Sequence, residues 1–346
     1  MISNINTLTT AELLGSFPPL SGAEARALGA TNTTLDKTNV TAYVYAGDDI
    51  VSGWLAGVHH WEAKDVEEMV YAMGAPVPQS PGDLAHPDRW KPPAAPFVAD
   101  VGGNVGTFLL NAAARGAVVA AFEPMANNIA LLRASLCANP WLMDRVALYG
   151  TGLSTKASKC KIYSDTSNRG NGITDCEKTE EQVIAWFKSE FNITAAVRGS
   201  ITTMRLDSII DHDVQVMKMD VEGYESEVLK GAHGLLTKHN VWHIMTEVNY
   251  GLLKAEGQAA FLKLINDLGY YISSISFKGP FHNVAAIEAL MPTGLHSPNI
   301  YCVKKTLQDR GRPAGAGEKD AAPSPSPAAA AGRRMAGWGP QRRTQA

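Results

Sequence analysis

Residues 97–108 read FVADVGGNVGTF, and this stretch decides the fold. An apolar run ends near Asp100, and Gly102, Gly103 and Gly106 follow within six positions. An apolar run that stops at glycines and leads into helical spacing is typical of a buried strand, a tight turn and a helix. Because these glycines have no side chains, the backbone of the turn leaves room for a ligand. The choices are a dinucleotide, a phosphate, S-adenosylmethionine (SAM) or no ligand.

The spacing of these glycines argues against nucleotide phosphates. The NAD fingerprint G-x-G-x-x-G is broken, because Asn104 stands two positions after Gly102, and the P-loop lysine is missing after Gly106. A ligand with an ammonium group and no phosphate, such as SAM, remains. A carboxylate would then hold its amino-acid end, and the glycines would let it lie on the backbone. Alternatively, the glycines only let the helix pack closely on the strand. The predicted cofactor-binding residues of this turn are Asp100, Gly102, Gly103, Asn104 and Gly106.

A second carboxylate follows the next apolar run. The segment AVVAAF, residues 117–122, leads directly into Glu123, which lies 20 residues beyond Gly103. A carboxylate at this distance, at the end of the second strand of a nucleotide site, accepts hydrogen bonds from ribose hydroxyls. NAD and SAM sites share this feature, so it indicates a nucleoside cofactor without choosing between them. The alternative is a surface glutamate at a turn.

Strands and helices alternate along the middle of the chain, which predicts an α/β fold with a mostly parallel sheet. In such sheets, ligands bind at the carboxyl ends of the strands. Composition divides the 346 residues into three parts. Residues 1–40 predict a weakly structured segment. Residues 41–305 form the folded body, with the cofactor-binding core from about residue 95. Residues 306–346 are rich in Ala, Pro and Ser and predict a disordered tail.

Charge and apolar patterning limit the partners. The net charge of −3 gives no global basic field, so we expect no nucleic acid or anionic membrane as partner. No apolar run of about 18 residues predicts a membrane span, and the N-terminus lacks signal-peptide features, which favours a cytoplasmic protein. The four cysteines form no C-x-x-C pair. We therefore expect ordinary reduced thiols, with a disulfide left open.

Several motifs, in order along residues 43–303, resemble the FkbM-type SAM-dependent methyltransferases. Gly103 stands where that family usually has alanine. The resemblance implies SAM as cofactor, Asn127 as a further cofactor-binding residue, and a hydroxyl of a sugar, polyketide or similar metabolite as acceptor. It also implies a class I (Rossmann-like) fold, with a mostly parallel seven-stranded sheet, helices on both faces and an N-terminal helical extension. The matching motifs are DVGGNVG at 100–106, AFEP at 121–124, NRGNG at 168–172, RLDS at 205–208 and KMDVEGYE at 218–225.

Three residues are candidates for catalysis. Asp220 ends the apolar strand VQVMKM, residues 214–219, and so points toward the cofactor as a base, a cation ligand or a contact to the methionine amino group. Glu247 ends a later strand and reaches toward the acceptor, and His60 is either a general base or a partly buried packing residue. For Glu225, helix capping is the preferred explanation. No dense cluster of Asp, Glu and His surrounds Asp220 in sequence, so we expect no metal.

Residues 168–172 predict a tight turn, which is either a substrate-facing loop or a plain hairpin. At the level of function, an NAD-dependent oxidoreductase and a non-catalytic nucleoside-binding module remain alternatives to a methyltransferase that acts on a small-molecule or glycan hydroxyl. The broken glycine motif argues against the first. The carboxylates Asp100, Glu123 and Asp220 at strand ends argue against a non-catalytic module, which would need none of these charges. The oligomeric state and the acceptor are not specified by the sequence.

Overall fold

The computed structural model describes residues 20–291 and 297–309. Residues 1–19 and most of the predicted tail, from residue 310 onward, lie outside the described residues. The strands are β1 Ala30–Thr34, β2 Thr41–Tyr45, β3 Phe97–Val101, β4 Val118–Phe122, β5 Val146–Tyr149, β6 Gly152–Leu153, β7 Ser158–Asp165, β8 Asn168–Asp175, β9 Ala195–Met204, β10 Val214–Met219, β11 Val241–Glu247, β12 Tyr270–Ser273 and β13 Asn299–Lys304. The α-helices are α1 Gly22–Ala27, α2 Ile50–Val58, α3 Ala63–Met73, α4 Thr107–Ala114, α5 Ala126–Ala138, α6 Glu180–Phe191, α7 Glu225–Gly231, α8 His233–Lys238, α9 Tyr250–Asp267, α10 Val284–Leu290 and α11 Lys305–Gln308.

The central sheet has seven strands in the order β12-β13-β11-β10-β3-β4-β5. The neighbours from β11 to β5 are parallel, whereas β13 runs antiparallel to both β11 and β12. The predicted α/β architecture is confirmed, but the sheet is mixed. The difference lies in β13, because an apolar run predicts burial on both faces and carries no information about strand direction.

Buried side chains form two hydrophobic clusters, one on each face of this sheet. Val98 belongs to the cluster that contains Leu109 of α4 and Leu132 of α5. Its neighbour Ala99 belongs to the cluster that contains Val228 of α7. Successive residues of a strand point to opposite faces. The apolar strands are thus covered by helices on both sides, which explains why they read as continuous apolar runs.

Residues 20–40 are part of the folded body. β1 and β2 pair antiparallel, so the predicted boundary at residue 40 falls inside a hairpin. The hairpin is fixed to α5, since the Tyr43 N–H donates to the Ser135 hydroxyl at 2.8 Å and the Thr41 N–H donates to the Asn139 side chain at 3.1 Å. Residues 20–40 carry only a weak apolar pattern and still form ordered elements, because a two-stranded hairpin that packs on a helix needs few apolar residues of its own.

A second, four-stranded sheet follows β5, in the order β6-β9-β7-β8. Its antiparallel pair β7 and β8 carries the disulfide Cys160–Cys176. This corrects the expectation of four reduced thiols, although Cys137 and Cys302 are free. A spacing of 16 residues does not reveal such a pair, because only the antiparallel return of the chain brings the two cysteines together.

The ends of four strands meet at one edge of the central sheet. In the strand registers Val101 pairs with both Phe122 and Met219, and Met219 pairs with Thr246. The segments that follow β3, β4, β10 and β11 therefore emerge side by side. Ligand sites of α/β sheets lie at this edge.

Candidate active site

The glycine turn joins the ends of β3, β4 and β10. The N–H groups of Gly102 and Gly103 both donate to the Phe122 carbonyl oxygen, at 2.9 and 3.0 Å. Gly102 has a φ of 86°, and a Cβ there would lie 1.8 Å from the Asp220 carbonyl oxygen. Only glycine fits such a position. At Gly103 the nearest atom to an added Cβ is 3.4 Å away, so alanine fits there.

Glu123 is buried directly after β4. Its Oε2 accepts the Asn104 N–H and its Oε1 accepts the Met125 N–H, both at 2.7 Å. Burial raises the pKa of Glu123 to about 7, although the two backbone donors act in the opposite direction. The carboxylate thereby fixes the glycine turn relative to the start of α5.

The asparagine that contacts Glu123 is Asn128, the neighbour of the predicted cofactor-binding residue Asn127. Asn127 is exposed. Asn128 is buried, hydrogen bonds to the Glu123 carboxylate and donates to the Gly170 carbonyl oxygen at 2.9 Å. It also accepts the Tyr45 hydroxyl at 2.6 Å. On a helix, neighbouring residues point about 100° apart, so a one-residue difference decides which asparagine faces the site.

A cavity lies at this edge of the sheet, where ligands of α/β folds bind. Its lining includes Gly102, Asn104, Glu123, Gly172, Asp220 and Glu222. The cavity thus unites the glycine turn, the carboxylate after β4 and the carboxylates after β10, which are separated by roughly a hundred residues in the chain.

Residues 168–172 belong to strand β8 rather than to a turn. Gly170, Asn171 and Gly172 line the cavity. The Gly170 N–H donates to the Asp49 carboxylate at 2.8 Å, and a Cβ at Gly170 would lie 2.4 Å from that carboxylate. These glycines therefore let β8 approach both Asp49, at the start of α2, and the cavity.

Lys218 places a buried ammonium group beneath the glycine turn. Its Nζ donates to the Gly102 carbonyl oxygen at 3.1 Å and lies 3.5 Å from Asp220 and 4.0 Å from Asp100. Burial lowers the pKa of Lys218, but the carboxylates of Asp220 and Asp100 outweigh it and raise that pKa overall. Asp100 itself is fully buried, and burial raises its pKa to about 6, against the opposing effect of Lys218.

Further carboxyl groups surround Asp220. Burial raises the pKa of Glu62 to about 8 and that of Glu222 to about 8, and in both cases the Asp220 charge adds to the effect. Burial also raises the pKa of Glu225 to about 7. The pKa of Glu247 lies well above its usual value, because the side chain is buried and faces several of these carboxylates. The site therefore holds more acidic groups than Lys218 can balance.

The structure brings some predicted residues to the cavity and leaves others outside its lining. Gly102, Asn104, Glu123 and Asp220 line it. Asp100, Gly103, Gly106 and Asn127 do not, and neither do Glu247 and His60. Glu247 reaches Asp220 electrostatically, whereas His60 is exposed. The roles of these residues stay predictions.

The sequence pattern did not single out Lys218, Glu62, Glu222 or Asn128. Lys218 and Asp220 are two positions apart, which places both on the same side of an extended chain, and this spacing is a usable signal. Glu222 stands at the start of a helix, where a carboxylate is readily explained by capping. Glu62 gives no signal, because it stands ahead of α3, far from β10 in sequence.

Comparison with family models identifies the family of the chain. The model of the methyltransferase FkbM domain matches residues 100–272. Among solved structures, the chain is similar to the methyltransferase FkbM from Methylobacillus flagellatus KT at 17% identity, covering 60% of this chain and 43% of that one, with a TM-score of 0.36. It is also similar to the bifunctional kinase-methyltransferase WbdD at 13% identity, covering 74% of this chain and 43% of that one, with a TM-score of 0.33.

A precorrin-6y C5,15-methyltransferase from Geobacter metallireducens GS-15 is similar at 9% identity, covering 61% of this chain and 82% of that one, with a TM-score of 0.31. The chain thus covers less than half the length of the first two structures. No curated protein matches the chain. Across residues 20–291 and 297–309, no helix has the length and apolar character needed to cross a membrane.

Proposed function

Because the chain belongs to the FkbM methyltransferase family, we propose that it transfers the methyl group of SAM to a hydroxyl oxygen of a small metabolite or carbohydrate. The observation that carries this proposal is the meeting of the Gly102 turn and Glu123 in one cavity. The sheet order, with β3 flanked by β4 and β10, supports a class I methyltransferase fold.

The residues of the cavity fit SAM. Glu123 already accepts two backbone N–H groups, but a carboxylate has about four lone-pair sites and can also accept ribose hydroxyls. Gly102 leaves bare backbone beside the cavity, and Asp220 supplies a carboxylate to its lining. A cofactor that carries an ammonium and a sulfonium suits such an acidic cavity better than the anionic pyrophosphate of NAD.

The reaction requires a positioned acceptor and an outlet for one proton. When bound, SAM supplies a methyl group on a sulfonium sulfur, so that the acceptor oxygen attacks the methyl carbon and the C–S electron pair stays on sulfur. Asp220 lines the cavity and is partly exposed, so it can accept the hydroxyl proton or orient the acceptor. Glu247 and His60 remain candidates for the base if Asp220 serves another role.

Binding of SAM and of NAD to the full chain, measured by isothermal calorimetry, tests the cofactor. We expect SAM to bind and NAD not to bind. Glu123→Ala should weaken SAM binding by about 1–3 kcal/mol, because ribose hydroxyls then lose their buried acceptor. Unchanged SAM affinity in folded Glu123→Ala would contradict this role. Incubation of a metabolite extract with methyl-labelled SAM, followed by mass spectrometry, identifies the acceptor.

A further inference from the structure

Three carboxylates from different elements meet beside the cavity. Asp220 follows β10, Glu225 begins α7 and Glu247 ends β11. One oxygen from each lies within 4.8 Å of the oxygens from the other two. Oxygens that share one divalent cation at about 2.1–2.5 Å are at most about 5 Å apart. The spacing of the three groups therefore suits a single cation.

Each of these carboxylates has a buried oxygen without a hydrogen-bond donor. Glu225 is fully buried, and its Oε1 accepts two backbone N–H groups of the preceding turn, as expected of a cap, while its Oε2 has no partner. Asp220 turns Oδ2 toward Lys218 and leaves Oδ1 unpaired. Glu247 leaves Oε2 unpaired. A buried carboxylate oxygen without a partner is unfavourable until a proton or a cation reaches it.

The charge balance favours a cation over protons alone. Asp220, Glu222, Glu225 and Glu62 all act on Glu247, so five carboxyl groups interact with one another. They lie beside Lys218, whose ammonium group also faces Asp100. The Glu222 carboxylate accepts a hydrogen bond from the Asn249 side chain at 3.3 Å. This bond holds Glu222 next to the other carboxyl groups. Oxygen-rich sites with a surplus of negative charge are those that divalent cations occupy.

We propose that Asp220, Glu225 and Glu247 bind one divalent cation of the Mg²⁺ or Mn²⁺ class, and that this cation holds the oxygen of the methyl acceptor. The cation site rests on the geometry alone, whereas its contact with the acceptor rests on the proposed function. This departs from the metal-free expectation, because Glu247 lies 22 residues beyond Glu225 and only the fold brings it to the other two carboxylates. A bound cation lowers the pKa of a hydroxyl and so favours its deprotonation.

Titration of the EDTA-treated full chain with MnCl₂, followed by electron paramagnetic resonance of free Mn²⁺, tests the site. We expect one Mn²⁺ per chain with a Kd below about 1 mM. Glu247→Gln and Glu225→Gln should each raise this Kd at least about tenfold, the loss of one of three charged ligands. Glu227→Gln is the matched control, since Glu227 lies on the same helix but pairs with Lys230 at the surface. Its Kd should equal that of the wild type.

Absence of Mn²⁺ binding to the wild type would overturn the proposal, whether or not the variants fold. Equal Mn²⁺ affinities of Glu247→Gln and Glu227→Gln would overturn it as well. A SAM titration in the presence of EDTA separates the two proposals. SAM binding without Mn²⁺ binding overturns the cation site alone, whereas Mn²⁺ binding without SAM binding leaves the cation site standing and removes the proposed function.

Discussion

Replacement of Gly102 by alanine tests whether the glycine turn is a geometric requirement of the fold. The added Cβ would lie 1.8 Å from the carbonyl oxygen of Asp220 and 2.9 Å from its carbonyl carbon. These are backbone atoms at the end of β10, and the Asp220 N–H is itself held by the Val101 carbonyl oxygen at 3.0 Å. The contact therefore cannot be relieved by the rotation of a side chain.

Two costs add in Gly102→Ala. A non-glycine residue at the φ of 86° costs about 1–2 kcal/mol. Overpacking against a fixed neighbour costs about 1–3 kcal/mol more. We expect the free energy of unfolding to fall by about 2–5 kcal/mol, the sum of these two costs, and SAM binding to weaken because the ends of β3 and β10 must separate.

Gly103→Ala is the control for this experiment. Its Cβ would meet atoms at 3.4 and 3.8 Å, which are ordinary contacts, and Gly103 has no positive φ. Alanine there should stabilise the protein by about 0.4–1 kcal/mol, since it restricts the unfolded chain. Urea denaturation followed by tryptophan fluorescence measures both variants. If both unfold at the same urea concentration, the turn is not constrained as the structure indicates.

Three further outcomes are expected. SAM affinity should rise from about pH 6 to about pH 8, because Glu123 has a pKa of about 7 and must be deprotonated to accept ribose hydroxyls; calorimetry on Glu123→Gln should show weaker binding and a flatter pH dependence. Lys218→Met should lower the free energy of unfolding by about 3–5 kcal/mol at about pH 8. The loss should be smaller at about pH 5, where Asp100 and Glu62, with pKa values of about 6 and about 8, are protonated; urea denaturation at each pH measures it. Asp220→Asn should reduce the turnover rate on the order of 10²-fold while SAM affinity changes little, and a rate close to that of the wild type would exclude Asp220 from catalysis.

The parts of the fold that can be predicted from the sequence are those with strong local signals. Apolar runs mark β3, β4, β10 and β11, and each run ends where a polar residue or glycine begins the loop at the site. This is why the amino-acid pattern alone points to Gly102, Glu123 and Asp220. Their identification depends on one rule, namely that strand ends of α/β sheets face the ligand.

The parts that cannot be predicted in this way depend on contacts between distant segments. The pairing of β1 with β2, the antiparallel course of β13 and the disulfide Cys160–Cys176 all arise from the path of the chain. The raised pKa of Glu62 cannot be predicted from the sequence either, because it results from burial and from the nearby Asp220 charge, both of which arise only in the fold. Periodicity within one segment of the sequence does not show which other segment that segment contacts.

The order of strands divides the proposed reaction between two sides of the glycine turn. Glu123 follows β4, whereas Asp220 and Glu247 follow β10 and β11, and β3 lies between the two sides. Hydrogen bonds to the ribose, the role proposed for Glu123, are the same in bound SAM and in the transition state, so they affect affinity more than the rate of transfer. Negative charge or a cation beside the acceptor oxygen affects the rate of methyl transfer, since that oxygen gains the methyl group and releases a proton. Substitutions at Glu123 should therefore raise the Kd for SAM, and Glu247→Gln should lower kcat with little change in that Kd. Steady-state kinetics and calorimetry on the two variants test this division. It would be contradicted if both variants changed the Kd for SAM, or if both changed kcat, in the same way.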